Sequence, residues 1–196
     1  MKTPDGRIDP SGNTWRLLSV WGSDMAASLS GAGWWHANQA RFPNSRSVDD
    51  LDAGFQACVR PFLAALKGAG ASVSIDTTFR SLQRAYIMRY SWDLAKELIR
   101  PSAVPAMDGV DIIWDHGNLV ASVRAAKEMA ALFGLAFRPS LNTRHNKGLA
   151  IDMDIRWSGK ISIRDKAGKT LLIGAPNPGA FNTALHRVGA SYGLIK

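Results

Sequence analysis

His145 and Asp152 stand seven residues apart in the run LNTRHNKGLAIDMDIRW, residues 141–157. An imidazole nitrogen and a carboxylate oxygen are both zinc ligands, and zinc needs two further partners, one of them often water. The run opens on the polar, turn-prone residues 142–144, so His145 lies in a turn. Gly148 marks a place where the backbone can bend or pass close to something. From Ile151 the pattern alternates. Ile151, Met153, Ile155 and Trp157 share one face, with Asp152, Asp154 and Arg156 on the other, as in a strand with one apolar side. Loop and strand start can bring the two ligand atoms to one point. A surface pair or a local hydrogen bond is the commoner fate of a His and an Asp at this spacing.

Four more residue sets bear on chemistry. Arg80 follows a strand pattern over residues 72–77 and precedes a helical pattern. An arginine fork there can grip a carboxylate through two parallel hydrogen bonds, or simply be solvated. Gln83 lies beside it. His116, in the segment ending Trp-Asp-His-Gly, either bonds neighbouring backbone or lines a site. His186 falls in the last helical pattern beside Leu185 and Val188, and His36 follows the pair Trp34-Trp35; both are weak ligand candidates. Paired tryptophans can stack on sugars or bases, but in an irregular arm they more often anchor it to its own domain.

The elements that must position these residues read as follows. Leu17, Leu18 and Trp21 fit a short helix or strand in an arm, residues 1–47. A helix is expected over 48–67, with Ser47 and Asp50 as a capping box and Pro61 as a kink or break. A strand covers 72–77 and a helix runs from Ser81 to about Ile99, followed by a break at 101–105. A further helix starts near Leu119 and ends at Gly134. After the central strand, Ile161 and Ile163 alternate, Asp165–Gly168 turns the chain, and 170–173 returns as a hairpin. A last helix is expected over about 179–188. The class is α+β. Residues 72–77, 149–157 and the hairpin are expected in one mainly antiparallel sheet flanked by helices.

Composition sets limits. The chain has 196 residues, 46% of them hydrophobic, enough for a real core. One cysteine, Cys58, excludes an internal disulfide scaffold. No apolar run approaches the ~20 residues of a membrane span. The net charge of +8 suits an anionic partner, and half of it falls between residues 141 and 169, where seven basic residues face three acidic ones. No helix-turn-helix, zinc-finger or RNA-recognition signature accompanies the charge, so nucleic acid is not expected. Residues 1–12 lack the apolar core of a signal segment.

The segment from His145 to Asp152 resembles the H-x-x-G-x-A-x-D motif of the D-alanyl-D-alanine carboxypeptidase and endopeptidase family, whose fold is shared with the Hedgehog signalling domain. His145, Gly148, Ala150 and Asp152 all match. The order of elements from about Ile75 onward is also similar, and residues 48–196 would be the family-like domain. The resemblance implies zinc held by two histidines and one aspartate, with an acidic general base just before the last histidine. His145 and Asp152 would be two of the ligands. Arg80, with Gln83, would position the substrate or its carboxylate. His116 would assist the oxyanion or support a ligand. The third ligand and the base normally follow the final helix, so they are expected beyond Lys196, with His186 as an internal substitute. The implied reaction is hydrolysis of amide bonds in peptidoglycan stem peptides or cross-links. The implied place is the bacterial cell wall or periplasm, reached by phage-type release or a secretion machine. The alternative is a basic, non-catalytic module binding cell-wall polymer through a degenerate metal site.

Overall fold

Alternating and helical patterns do become strands and helices in the computed structural model, which describes residues 28–177 and 179–194. Leu17, Leu18, Trp21 and Pro178 lie outside the described residues. The helices are α1 (Ala32–Asn38), α2 (Ala53–Gly68), α3 (Leu82–Ala95), α4 (Leu119–Leu132) and α5 (Thr183–Ser191). The strands are β1 (Ser72–Thr77), β2 (Asp152–Arg156), β3 (Ile161–Arg164) and β4 (Thr170–Ile173). The class is α+β with antiparallel pairing. The described residues divide into two compact units, 28–41 with 86–140 and 42–85 with those from 141 onward. Of the 1–47 arm, described residues 28–41 belong to the first and 42–47 to the second.

In the first unit α1 packs on α4. Trp34 and Trp35 are each only 4% exposed, so neither is available for stacking on a ligand. Trp35 meets Phe133 edge-on at 4.5 Å, and the Trp34 indole N–H donates to the Asp111 carbonyl. Within this unit, Asp93 is 4% exposed and receives Arg138 at 2.7 and 2.8 Å and Arg89 at 2.7 Å. Burial alone would push this carboxyl up. The hydrogen bonds and charges of the two arginines outweigh it and hold the pKa below the ordinary carboxylate value. A depressed folded pKa means the contribution to stability is complete above the unfolded pKa of ~3.9 and fades as pH falls through the folded value. Asp93→Asn should therefore cost about 3 kcal/mol at pH 7. In denaturant titrations the gap from the wild type should narrow as pH falls below about 3.9, the unfolded carboxylate pKa, and a pH-independent gap would contradict this assignment.

In the second unit α2 supplies Val59, Phe62 and Leu66 as its buried stripe. The expected helix start at residue 48 is corrected. Ser47 caps only a 3-10 turn, Val48–Asp50, and Leu51 is extended. The Asp52 N–H donates to the Gly148 carbonyl, which holds that peptide outside the helix, and the Asp52 carboxylate then caps Gly54 and Phe55. Pro61 does not split the helix; its three apolar neighbours remain buried on one face.

β1 and β2 form an antiparallel ribbon in which Val73 faces Ile155 and Ile75 faces Met153. The register then slips, and Thr77, not Asp76, lies opposite Asp152. The slip avoids two facing carboxylates, an unfavourable cross-strand pair. β3 and β4 form a second ribbon closed at Asp165–Gly168, where Gly168 has φ 87°. Among the described residues the ribbons are separate sheets, not the one sheet expected. Gly159, at φ 62°, turns the chain between them. Their apolar faces meet in a common core instead of pairing edge to edge. Ile161, Ile163 and Ile173 are buried there with Trp157, Phe62 and Leu66, and Met153 and Ile155 pack against it. α5, capped by Asn182, closes this core with Leu185 and Val188.

Candidate functional site

The site lies wholly within the second unit, where the exit of β1, the turn before β2 and residues 43–45 converge. The turn forms because Thr143 and Asn146 close it on each other: the Thr143 N–H donates to Asn146 Oδ1 at 2.9 Å. A 3-10 turn, Arg144–Lys147, follows and ends at Gly148 in the left-handed region, φ 66°. Only glycine fits, since a Cβ there would come within 2.7 Å of the Asp52 nitrogen. The turn is also laced to the exit of β1. The Arg80 N–H donates to the His145 carbonyl at 3.2 Å, and Asn146 Nδ2 donates to the Arg80 carbonyl at 2.9 Å.

These ties set the imidazole. His145 is 13% exposed, with Nδ1 3.2 Å from the Thr78 carbonyl and Nε2 3.2 Å from Asp152 Oδ2. Both neighbours are acceptors only. A neutral imidazole has one N–H and satisfies one of them. Whichever nitrogen carries it, the other acceptor is left facing a lone pair, and a second proton or a metal cation between Nε2 and Oδ2 would satisfy both. Two ligands about 2.1 Å from a tetrahedral ion lie about 3.4 Å apart, close to the separation found. The donor set therefore fits two positions of a zinc site, and the backbone carbonyl supplies the outer hydrogen bond that zinc-binding histidines normally make. Asp152 is 59% exposed. The His145 hydrogen bond holds its carboxyl below the ordinary range; burial opposes this, and the charges of His145 and Arg80 add to it.

Arg80 is half-buried, which lowers its pKa, while the Asp152 charge acts in the opposite direction. Arg84 is shifted down by burial and by the charge of Arg80. Both stay cationic at neutral pH. Arg80, His145 and Asp152 are thus brought together. Gln83 sits half-buried in the first turn of α3 and makes no hydrogen bond to them among the described residues. His186 Nε2 is 3.1 Å from the Gly179 carbonyl. His116 belongs to the first unit, where Nε2 is 2.9 Å from Ser30 Oγ and its backbone N–H donates to Ser122 Oγ. His36 is exposed on α1. Among the described residues no three His, Cys, Asp or Glu side chains gather as a metal-binding group.

Neither a family model, nor a curated protein, nor a solved structure matches this chain. Among the described residues no helix is long and apolar enough to cross a membrane.

Three participants escaped sequence reading: Thr78, Asn146 and Asn44. Thr78 and Asn146 act through a backbone carbonyl and a side-chain amide, which carry no motif. Asn44 lies 36 residues before Arg80, whose Nε it accepts at 3.0 Å.

Proposed function

We propose that this chain is a zinc-dependent hydrolase of amide bonds in peptidoglycan peptides, acting at the bacterial cell wall, with a Hedgehog/DD-peptidase-like arrangement. One observation carries the reading: His145 offers Nε2 to a carboxylate oxygen while its other nitrogen is committed to a carbonyl, so a cation suits the place between them. The match of His145, Gly148, Ala150 and Asp152 to the family motif supports it. When bound, zinc supplies a Lewis acid and makes its water a better nucleophile near neutral pH. The residues of this chain do the rest. With the metal bound, the Thr78 carbonyl would hold the His145 proton on Nδ1 and leave the Nε2 lone pair for the ion. Asp152 presents a carboxylate that stays ionised well into acid. Arg80, held at the edge of the same site, grips a substrate carboxylate. The basic segment 141–169 draws in anionic wall polymer.

A second reading has a specific observation behind it. No third metal-type side chain joins His145 and Asp152 among the described residues. In that reading a proton lies between the two, and the chain is a non-catalytic, basic cell-wall-binding module.

Purified sacculi separate the two. The enzyme should release soluble peptides, lose activity to a chelator and regain it with zinc. Arg80→Ala should cut turnover about thirtyfold or more, the worth of a charge-assisted hydrogen bond of ~2 kcal/mol, with little change in melting temperature. Sedimentation with sacculi without any release, at saturating zinc, would favour the binding module. Normal kinetics in Arg80→Ala would return that residue to a solvated role.

A further inference from the structure

We propose that Asn44 is a positioning residue that presents one chosen edge of Arg80 to a ligand ending in a free carboxylate; this rests on the reading of Arg80 as the carboxylate grip. The backbone of Arg80 is fixed on two sides. Its N–H and carbonyl are held by His145 and Asn146. Residues 43–45 run antiparallel beside 78–81. The Ser45 N–H donates to the Phe79 carbonyl at 2.7 Å, the Thr78 N–H to Ser45 at 2.8 Å and the Ser81 N–H to Pro43 at 3.1 Å. Asn44 is the residue of this strap directly opposite Arg80.

The far end of the Arg80 side chain is then set by Asn44. Arg80 Nε donates to Asn44 Oδ1 at 3.0 Å, and Asn44 Nδ2 donates to Thr77 Oγ1 at 3.3 Å. Arg80 Nε–H only donates, so Oδ1 is the end of the amide that faces the guanidinium, and the Thr77 hydroxyl accepts from the other end. A guanidinium can offer a carboxylate either its Nε–Nη edge or its Nη–Nη edge. With Nε committed, the Nη1–Nη2 edge is left, and among the described residues Arg80 makes no other side-chain hydrogen bond. That edge takes a planar, terminal carboxylate through two parallel bonds. An amide in the same position offers one acceptor and turns an N–H toward a donor. The site should therefore discriminate free-acid peptide ends from amidated or internal ones. Holding Arg80 in this pose beforehand also removes part of the ordering cost of binding.

The test is a nitrogen–proton NMR titration of the full chain that follows the Arg80 Nε–H signal, with N-acetyl-alanine and N-acetyl-alaninamide as probes. In the wild type the signal should be protected from solvent exchange, shifted by the acid and unmoved by the amide. In Asn44→Ala it should exchange rapidly, with affinity for the acid down about tenfold, the loss of a hydrogen bond of ~1.4 kcal/mol. Asn44→Asp keeps the acceptor and should restore the protection, which separates this role from a general loss of fold. An acid that leaves wild-type Arg80 unmoved would overturn the grip itself. Equal acid binding by wild type and Asn44→Ala would overturn the role of Asn44 alone. Neither outcome depends on zinc.

Discussion

Gly148→Ala should lower the stability of the second unit by about 3 kcal/mol, which for a chain of this size is a fall of about 10 °C in melting temperature. Two costs add. The residue sits at φ 66°, where a side chain loses about 1 kcal/mol or more. The new Cβ would also lie 2.7 Å from the Asp52 nitrogen and 3.1 Å from the Asp50 oxygen. Both are backbone atoms, with no flexible side chain to yield. The Asp52 N–H donates to the Gly148 carbonyl at 3.0 Å, so relief by separation sacrifices that bond and loosens the cap of α2. Gly159→Ala is the internal control. It has φ 62° and open space around its Cβ, so only the conformational cost of about 1 kcal/mol applies. Equal losses in the two variants, by calorimetry or denaturant titration, would show that the close approach at Gly148 carries no weight. A larger loss at Gly148 should come with weaker zinc binding, because the same turn carries His145.

Elements with a clear period were legible in the sequence. The alternation of Val73 and Ile75 marks β1 at its observed limits, and the Asp165–Gly168 turn with its isoleucines marks the second ribbon. Gly148 was readable as a point of bend or close approach, though not what it approaches. What stayed hidden depends on contacts distant in sequence. The cap of α2 moved from Ser47 to Asp52 because the Gly148 carbonyl, 96 residues on, holds the Asp52 N–H. The slip at Asp76 follows from what stands opposite it in β2. Whether two ribbons join edges or share a core is decided by Gly159 and by packing against Phe62 and Leu66, not by the period of either strand. At the site, His145, Asp152 and Arg80 have distinctive chemistry and a spacing that invites attention. Asn44 and Asn146 act only as hydrogen-bond brackets, and nothing in the local sequence marks them.

Loss of zinc binding in His145→Ala is the second large effect expected. The imidazole is the best-placed ligand, with Nδ1 held against the Thr78 carbonyl, and its removal takes away a ligand and the partner of Asp152 together. Affinity should fall about a hundredfold or more. Asp152→Ala should fall in the same range, and the double variant should be little worse than either, since the two act as a unit. Unchanged affinity in either single variant would place any bound zinc elsewhere.

The most direct measurement is anomalous diffraction at the zinc edge from zinc-soaked crystals of the full chain. The account predicts one strong peak within about 2.0–2.2 Å of both His145 Nε2 and Asp152 Oδ2, with Nδ1 still against the Thr78 carbonyl. It would be contradicted by crystals saturated with zinc that show no peak at that point, with Nε2 and Oδ2 still in direct hydrogen-bond contact.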